Sequence, residues 1–265
     1  MKYIELLNLW IETTKKPYVT QSTLNNINII IRLHIPDIIK YNSLSTITPL
    51  SLSSSLSLLS SSRMRESLYD VYNASFRFAY DFGYIDVNPM VNVRKPKHKR
   101  KLGEALTSSE LTQFLCDIEH TQCKEFFLFC LYTGCRRSEA LKVKWTDVDF
   151  VNNTLRIRGT KTDFSERTIP LFPECKKLLI PLISDSPYVF GFNPGYVTKI
   201  FKRICPNHKL HDLRHTFATR CLESGISIKV VQRWLGHSRL DTTANIYTHV
   251  LEDYVKSEAA KFKLL

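Results

Sequence analysis

The sequence predicts a mainly α-helical protein in two parts: a small helical domain, then a mixed, mostly helical domain with a small antiparallel sheet. Three observations carry this reading. Apolar residues recur at helical spacing in both parts. Paired β-branched and alternating runs flank a polar turn in the second part. A short basic stretch containing a proline lies between the two.

The first helix follows from Ile4, Leu7 and Ile11, and the second from Leu24, Ile27 and Ile31, each set sharing one face. A Ser/Thr-rich tract covers 43–62, yet Leu52, Leu56 and Leu59 keep a helical phase within it, which predicts a serine-rich helix. Ser61 and Ser62 can cap a strongly amphipathic helix over 64–82, marked by Met64, Leu68, Val71, Tyr72, Ala79 and Phe82. Gly83 ends it, and Asn88-Pro89 blocks its continuation. Residues 1–92 therefore read as one helical domain, 93–104 as a basic linker and 105–265 as the second domain.

In the second domain, Thr107 and Glu110 make a capping-box pattern ahead of an apolar run. CKEFFLFCLYTG predicts a buried helix ending at Gly134, and RRSEALKVKW begins another. TLRIRG and RTIPL read as hairpin strands joined by the turn KTDFSE. Helices are expected near 174–182 and 194–204, then in HDLRHTFATRCLESG, SIKVVQRWLG and TTANIYTHV.

Composition narrows the partners. The formal net charge is +12, and the segment RKPKHKRK at 94–101 supplies six Lys/Arg and no acid. Such a surplus points to a polyanion, either nucleic acid or an anionic membrane surface. No run approaches the roughly 20 apolar residues of a spanning helix, and the acid-bearing N-terminus does not read as a signal peptide. Seven cysteines, an odd number with no CxxC pair, argue for reduced thiols in a cytoplasmic protein and against a disulfide framework or zinc knuckle. Cys116, Cys123 and Cys130, spaced by seven, read as small apolar helix positions.

The stretch HDLRHTFATR poses the chemical question. His211 and His215, four apart with Asp212 between them, suggest a zinc helix. Arg214 argues against it, because a cation beside a bound dication is unfavourable. Arg136, Lys161, His211, Arg214, His237 and Tyr247 make a donor-rich set with no carboxylate pair for a metal. That set suits a phosphodiester: arginine forks bind non-bridging oxygens, tyrosine is a nucleophile, and lysine or histidine moves protons. Alone, each residue has a plainer reading. Tyr247 reads as a packing residue with Tyr254 as its rival, Lys161 as a solvated turn lysine, His215 as a helix hydrogen-bonder, His249 as surface, and Trp145 and Trp234 as core.

Together, TGCRRSEALKVKWTDVD, RIRGTKTDFSERTIPL, HDLRHTFATRCLESGISIKVVQRWLGHS and TTANIYTHV resemble the tyrosine recombinases of the phage-integrase and Xer type, in that family's order, over about 105–255. The N-terminal part resembles, more loosely, the family's core-type DNA-binding (SAM-like) domain in two-domain members. The resemblance implies that Arg136 is the first arginine of T-G-x-R-x-x-E, with Glu139 as the supporting acid and Arg137 as a neighbour contacting backbone or solvent. It makes Lys161 the general acid to the leaving 5′ oxygen, and His211 and Arg214 the H-x-x-R box. His237 then holds the scissile phosphate, and Tyr247 forms a 3′-phosphotyrosine. No metal, cofactor or ATP is expected. Arg94, Lys95, Lys97, Lys99, Arg100 and Lys101 are expected to track the DNA backbone.

The implied partners are double-stranded DNA at specific recombination sites, further copies of the chain in a tetramer, and accessory DNA-bending proteins. No membrane partner is expected, and the location is cytoplasmic, nucleoid-associated when bound to DNA. LEDYVKSEAAKF is expected to be a helix, packed on a neighbouring protomer or on its own domain. Three rival readings stand beside this one: type IB topoisomerase-like strand swivelling, a catalytically silent DNA-binding regulator of the same fold, and a metallohydrolase using His211 and His215.

Overall fold

The computed structural model describes residues 1–98, 103–159 and 166–236. The chain divides into two compact units, Met1–Arg100 and Lys101–Leu265.

The first unit holds helices α1 (Tyr3–Trp10), α2 (Gln21–His34), α3 (Asp37–Lys40), α4 (Pro49–Ser57) and α5 (Ser62–Asp81), with a wider π-helical turn, Ile11–Lys15, extending α1. Helix α5 is the spine on which α1, α2 and α4 pack. Its apolar face buries Leu68, Val71, Tyr72, Phe76 and Ala79. The serine-rich tract does carry a helix, α4, capped by Thr48, whose side chain accepts the Ser51 N–H. Leu52 and Leu56 are buried, and Leu59, two residues beyond the helix, still packs on the core. The buried polar atoms find partners as burial demands. Ser55 Oγ pairs with Tyr72 Oη at 3.0 Å, and Tyr3 Oη pairs with Ser75 Oγ at 2.7 Å while its ring stacks on Phe76. Short α3 carried no apolar period and was not expected.

The second unit runs α6 (Ser108–Ile118), α7 (Lys124–Thr133), α8 (Arg137–Ala140), β1 (Val148–Asp149), β2 (Thr154–Ile157), β3 (Arg167–Pro170), α9 (Pro173–Leu179), α10 (Pro194–Ile204), α11 (Asp212–Glu223) and α12 (Ile228–Leu235). The strands form an antiparallel sheet in the order β1-β2-β3, with Leu155 opposite Val148 and Ile169. Helix α7 is buried almost all round and packs on α9 and α11, while α12 packs on α11 and β3. Both bonds of the Thr107–Glu110 capping box form.

The stretch RRSEALKVKW departs from expectation, since only one helical turn, α8, forms there. Its backbone is then taken up elsewhere. Val143 O accepts the Val189 N–H at 3.0 Å, Lys144 bridges Tyr188, and Asp147 accepts the Lys144 N–H at 3.0 Å. Among the described residues, no helix is long and apolar enough to cross a membrane.

Candidate active site

Gly134 ends α7 in the left-handed conformation, φ 64°, and reverses the chain into α8. This turn places Arg136 at the N-cap of α8 and Glu139 one turn inside it. Glu139 has no exposed side-chain surface and gathers cations. Its Oε1 accepts Arg136 Nη1 at 2.7 Å. Its Oε2 accepts the Arg136 backbone N–H at 2.9 Å and Arg167 Nη2 at 3.0 Å. Burial alone would raise the Glu139 pKa. The hydrogen bond and charge of Arg167, with the Arg136 contacts, outweigh it and hold the carboxyl below its usual range.

Arg214, on α11, is almost wholly buried. Its Nη1 donates to Gly134 O at 2.9 Å and its Nη2 to Leu235 O at 2.6 Å. Burial, then the charge of Arg136, pushes its pKa down to about 9, which leaves it cationic at neutral pH. Its Nε has no hydrogen bond among the described residues, a buried donor that an incoming oxygen would satisfy.

His211 is the N-cap of α11, one turn before Arg214, and its ring meets that of His215 edge-on at 4.9 Å. Enclosure of the ring, then His215, Arg214 and Arg136, pushes its pKa down to about 4. Enclosure of the ring is the larger cause, and the three basic neighbours add to it in the same direction. Asp212 lies near the His215 ring, but its hydrogen bonds go elsewhere. It accepts the Lys209 N–H at 2.8 Å and meets His208 Nδ1 at 3.3 Å. Among the described residues, no three His, Cys, Asp or Glu side chains are grouped to hold a metal.

A groove of about 320 Å³ opens over these groups, lined by Arg136, Arg137, Ser138, Thr198, Leu210 and His211. Its lining carries two arginines and no carboxylate. Arg137 donates to Thr198 Oγ1 at 2.5 Å and to Pro194 O at 3.3 Å. A larger hollow of about 410 Å³, beside Leu131, Phe217 and Cys221, is mainly apolar and includes none of the expected site residues.

The structure thus brings together Arg136, Glu139, His211 and Arg214. Lys161, His237 and Tyr247 lie outside the described residues, as do Lys99, Arg100 and Lys101 and the segments TTANIYTHV and LEDYVKSEAAKF. Of the remaining basic residues, Arg94 and Lys97 are exposed, and Lys95 pairs with Asp70 at 2.8 Å. Sequence reasoning missed Arg167. A signal was available: it shares strand parity with the buried Ile169, which puts its side chain on the inward face of β3.

Residues 104–253 match the phage integrase family, and the chain belongs to that family. It is 28% identical over 247 residues to a XerC-like tyrosine recombinase of Caldanaerobacter subterraneus subsp. tengcongensis, a match covering 72% of this chain and 63% of that protein. It is 34% identical over 196 residues to the tyrosine recombinase XerA of Pyrococcus furiosus, covering 65% and 66% respectively. The chain thus spans just under two thirds of the length of these relatives. In fold it is similar to lambda integrase, solved as a dimer bound to a COC′ core site, with a TM-score of 0.78 at 22% identity over 91% of this chain and 96% of that one. A lambda integrase tetramer bound to a Holliday junction gives 0.77 at 22% identity, over 89% and 74%.

Proposed function

We propose that this chain is a site-specific DNA recombinase that cleaves and rejoins strands through a tyrosine. The observation that carries the reading is the acid-free groove lined by Arg136 and His211, with Arg214 buried one turn from His211 and Arg136 held by the buried Glu139. Such a groove suits a phosphodiester. Charge that develops on the non-bridging oxygens meets guanidinium groups already fixed by hydrogen bonds, so little reorganisation is needed. His211, neutral at neutral pH, can donate one hydrogen bond or carry one proton.

The remaining roles come from the family resemblance. The Tyr247 oxygen attacks phosphorus as its hydroxyl proton passes to His211, and the bond to the 5′ oxygen breaks. Lys161 supplies the proton to that oxygen, and His237 holds the phosphate. The 3′-phosphotyrosine conserves the bond energy, and a 5′-hydroxyl of another strand reverses the step, without metal or ATP. The two units and the basic segment at 94–101 serve double-stranded DNA, and assembly is as a tetramer on two sites, with accessory DNA-bending proteins as further partners. A cytoplasmic location fits this role.

Nicked suicide duplexes tiled across the DNA flanking the gene test the reading. Wild-type protein should become covalently attached to one of them, and Tyr247→Phe should not. An adduct that persists in Tyr247→Phe would remove the nucleophile assignment. Relaxation of supercoils without dependence on site would favour strand swivelling, and DNA binding without any adduct would favour a silent regulator.

A further inference from the structure

Glu139 carries a contact that the proposed chemistry does not use. Arg167 is buried on β3 and serves two elements at once. Its Nη2 donates to Glu139 Oε2 at 3.0 Å, and its Nε donates to Trp234 O at 2.5 Å. Arg214 donates to the next carbonyl, Leu235 O. Two arginines therefore grip the last two carbonyls of α12, groups that a helix end leaves without intrahelical partners and where the helix dipole favours cations. The chain leaves α12 through Gly236, left-handed at φ 66°. A Cβ at that position would lie 3.0 Å from Arg167 Cδ and 3.2 Å from its Nη1, so the guanidinium and its stem also pack on the exit turn.

We propose that Arg167 is a positioning residue. It locks the end of α12 to the same carboxylate that holds Arg136, so the chain that continues from Gly236, with His237 next in sequence, starts from a point in register with the groove. The inference rests on the strand-cleavage reading above. Arg167 itself touches no phosphate. Its planar fork reaches two acceptors that point in different directions, which a lysine ammonium on a flexible stem does not reproduce. Gly236→Ala disturbs the same contact from the other side without altering any buried charge.

The test uses the full chain with the suicide duplex that traps wild-type protein. Arg167→Lys and Gly236→Ala are compared with wild type by thermal melting, by non-covalent affinity for the intact duplex, and by single-turnover adduct formation. Both variants should bind duplex within about twofold of wild type, while adduct formation slows by about tenfold to a hundredfold, the size of effect expected from a displaced reacting group. In the double variant Arg167→Lys/His237→Ala, the rate should be no lower than in His237→Ala alone, since both changes disturb one unit. Wild-type adduct rates in both single variants, or losses that multiply in the double variant, would overturn the inference. Should Arg167→Lys fail to fold, Gly236→Ala decides by the same rates. No adduct from the wild-type chain on any tiled duplex would overturn the cleavage reading and this inference with it. An adduct formed equally fast by wild type and variants would overturn this inference alone.

Discussion

Arg214 Nη1 stands 3.9 Å from Glu139 Oε2, beyond hydrogen-bond distance, in a place where neither side chain reaches water. Charge rather than a shared proton links them. The carboxylate's hydrogen bonds go to Arg136 and Arg167, while Arg214 donates its own to Gly134 O and Leu235 O. The arrangement keeps the arginine fixed and cationic while leaving its Nε without a protein acceptor among the described residues.

Removing Glu139 should therefore destabilise the second unit. Glu139→Ala strands Arg167 and Arg214 as buried cations without their counter-charge, and breaking a buried pair in this way costs about 3–5 kcal/mol. Urea unfolding of wild type and variant measures it. A difference below about 1 kcal/mol, the range of a surface pair, would show that the arginines do not depend on this carboxylate.

The depressed His211 pKa sets a pH dependence. The folded state holds His211 neutral down to about 4, whereas an unfolded histidine takes up its proton near 6.5. His215 is shifted in the same direction, first by burial. Between those limits the unfolded chain binds more protons, so stability rises with pH across that window and is lost as pH falls through it. Melting temperature should drop from pH 7 to pH 5, and His211→Asn should flatten the slope. An NMR titration of His211 with a midpoint at or above 6.5 would contradict the crowding described above.

Gly134 should resist substitution. Its φ of 64° disfavours a side chain, and a Cβ there would lie 2.5 Å from Phe217 Cδ1 and 2.8 Å from Leu235 Cδ2. Backbone strain and overpacking together predict a loss of about 2–4 kcal/mol for Gly134→Ala. Denaturant midpoints check this directly.

Thiol reactivity offers a test of the core. Burial pushes Cys135 and Cys221 up to about 11 and Cys175 up to about 12, and it raises Cys130 well beyond the usual thiol range. Cys116 alone among the seven is exposed. A chromogenic disulfide reagent should find one fast thiol in native protein and all seven in denaturant. Several fast thiols in the native state would contradict the packing of α7, α9 and α11.

Much of the architecture was legible because helical and strand periods survive in the residues themselves. Leu52, Leu56 and Leu59 announced a helix inside a serine-rich tract, and Arg136, Glu139, His211 and Arg214 could be grouped from their motifs. What escaped depends on partners with no sequence signature. Arg214 is held by two carbonyls, and any residue carries a carbonyl. Arg167 needed its strand parity to be weighed against its charge. The shortness of α8 follows from a bridge to Tyr188, a pairing that no local pattern in RRSEALKVKW encodes.

Gly103 lies before α6, outside any helix or strand, with no charge to offer. Yet a Cβ at that position would run into the His215 ring and the Asp212 carboxylate. Three residues further along, Leu106 N–H donates to Thr216 Oγ1 at 2.9 Å, holding this segment against α11. Position 103 is thus a keyhole that admits a bare backbone and nothing wider. A saturation library selected for activity would find glycine nearly irreplaceable there, at a site that hydropathy, charge and motif would all pass over as ordinary loop.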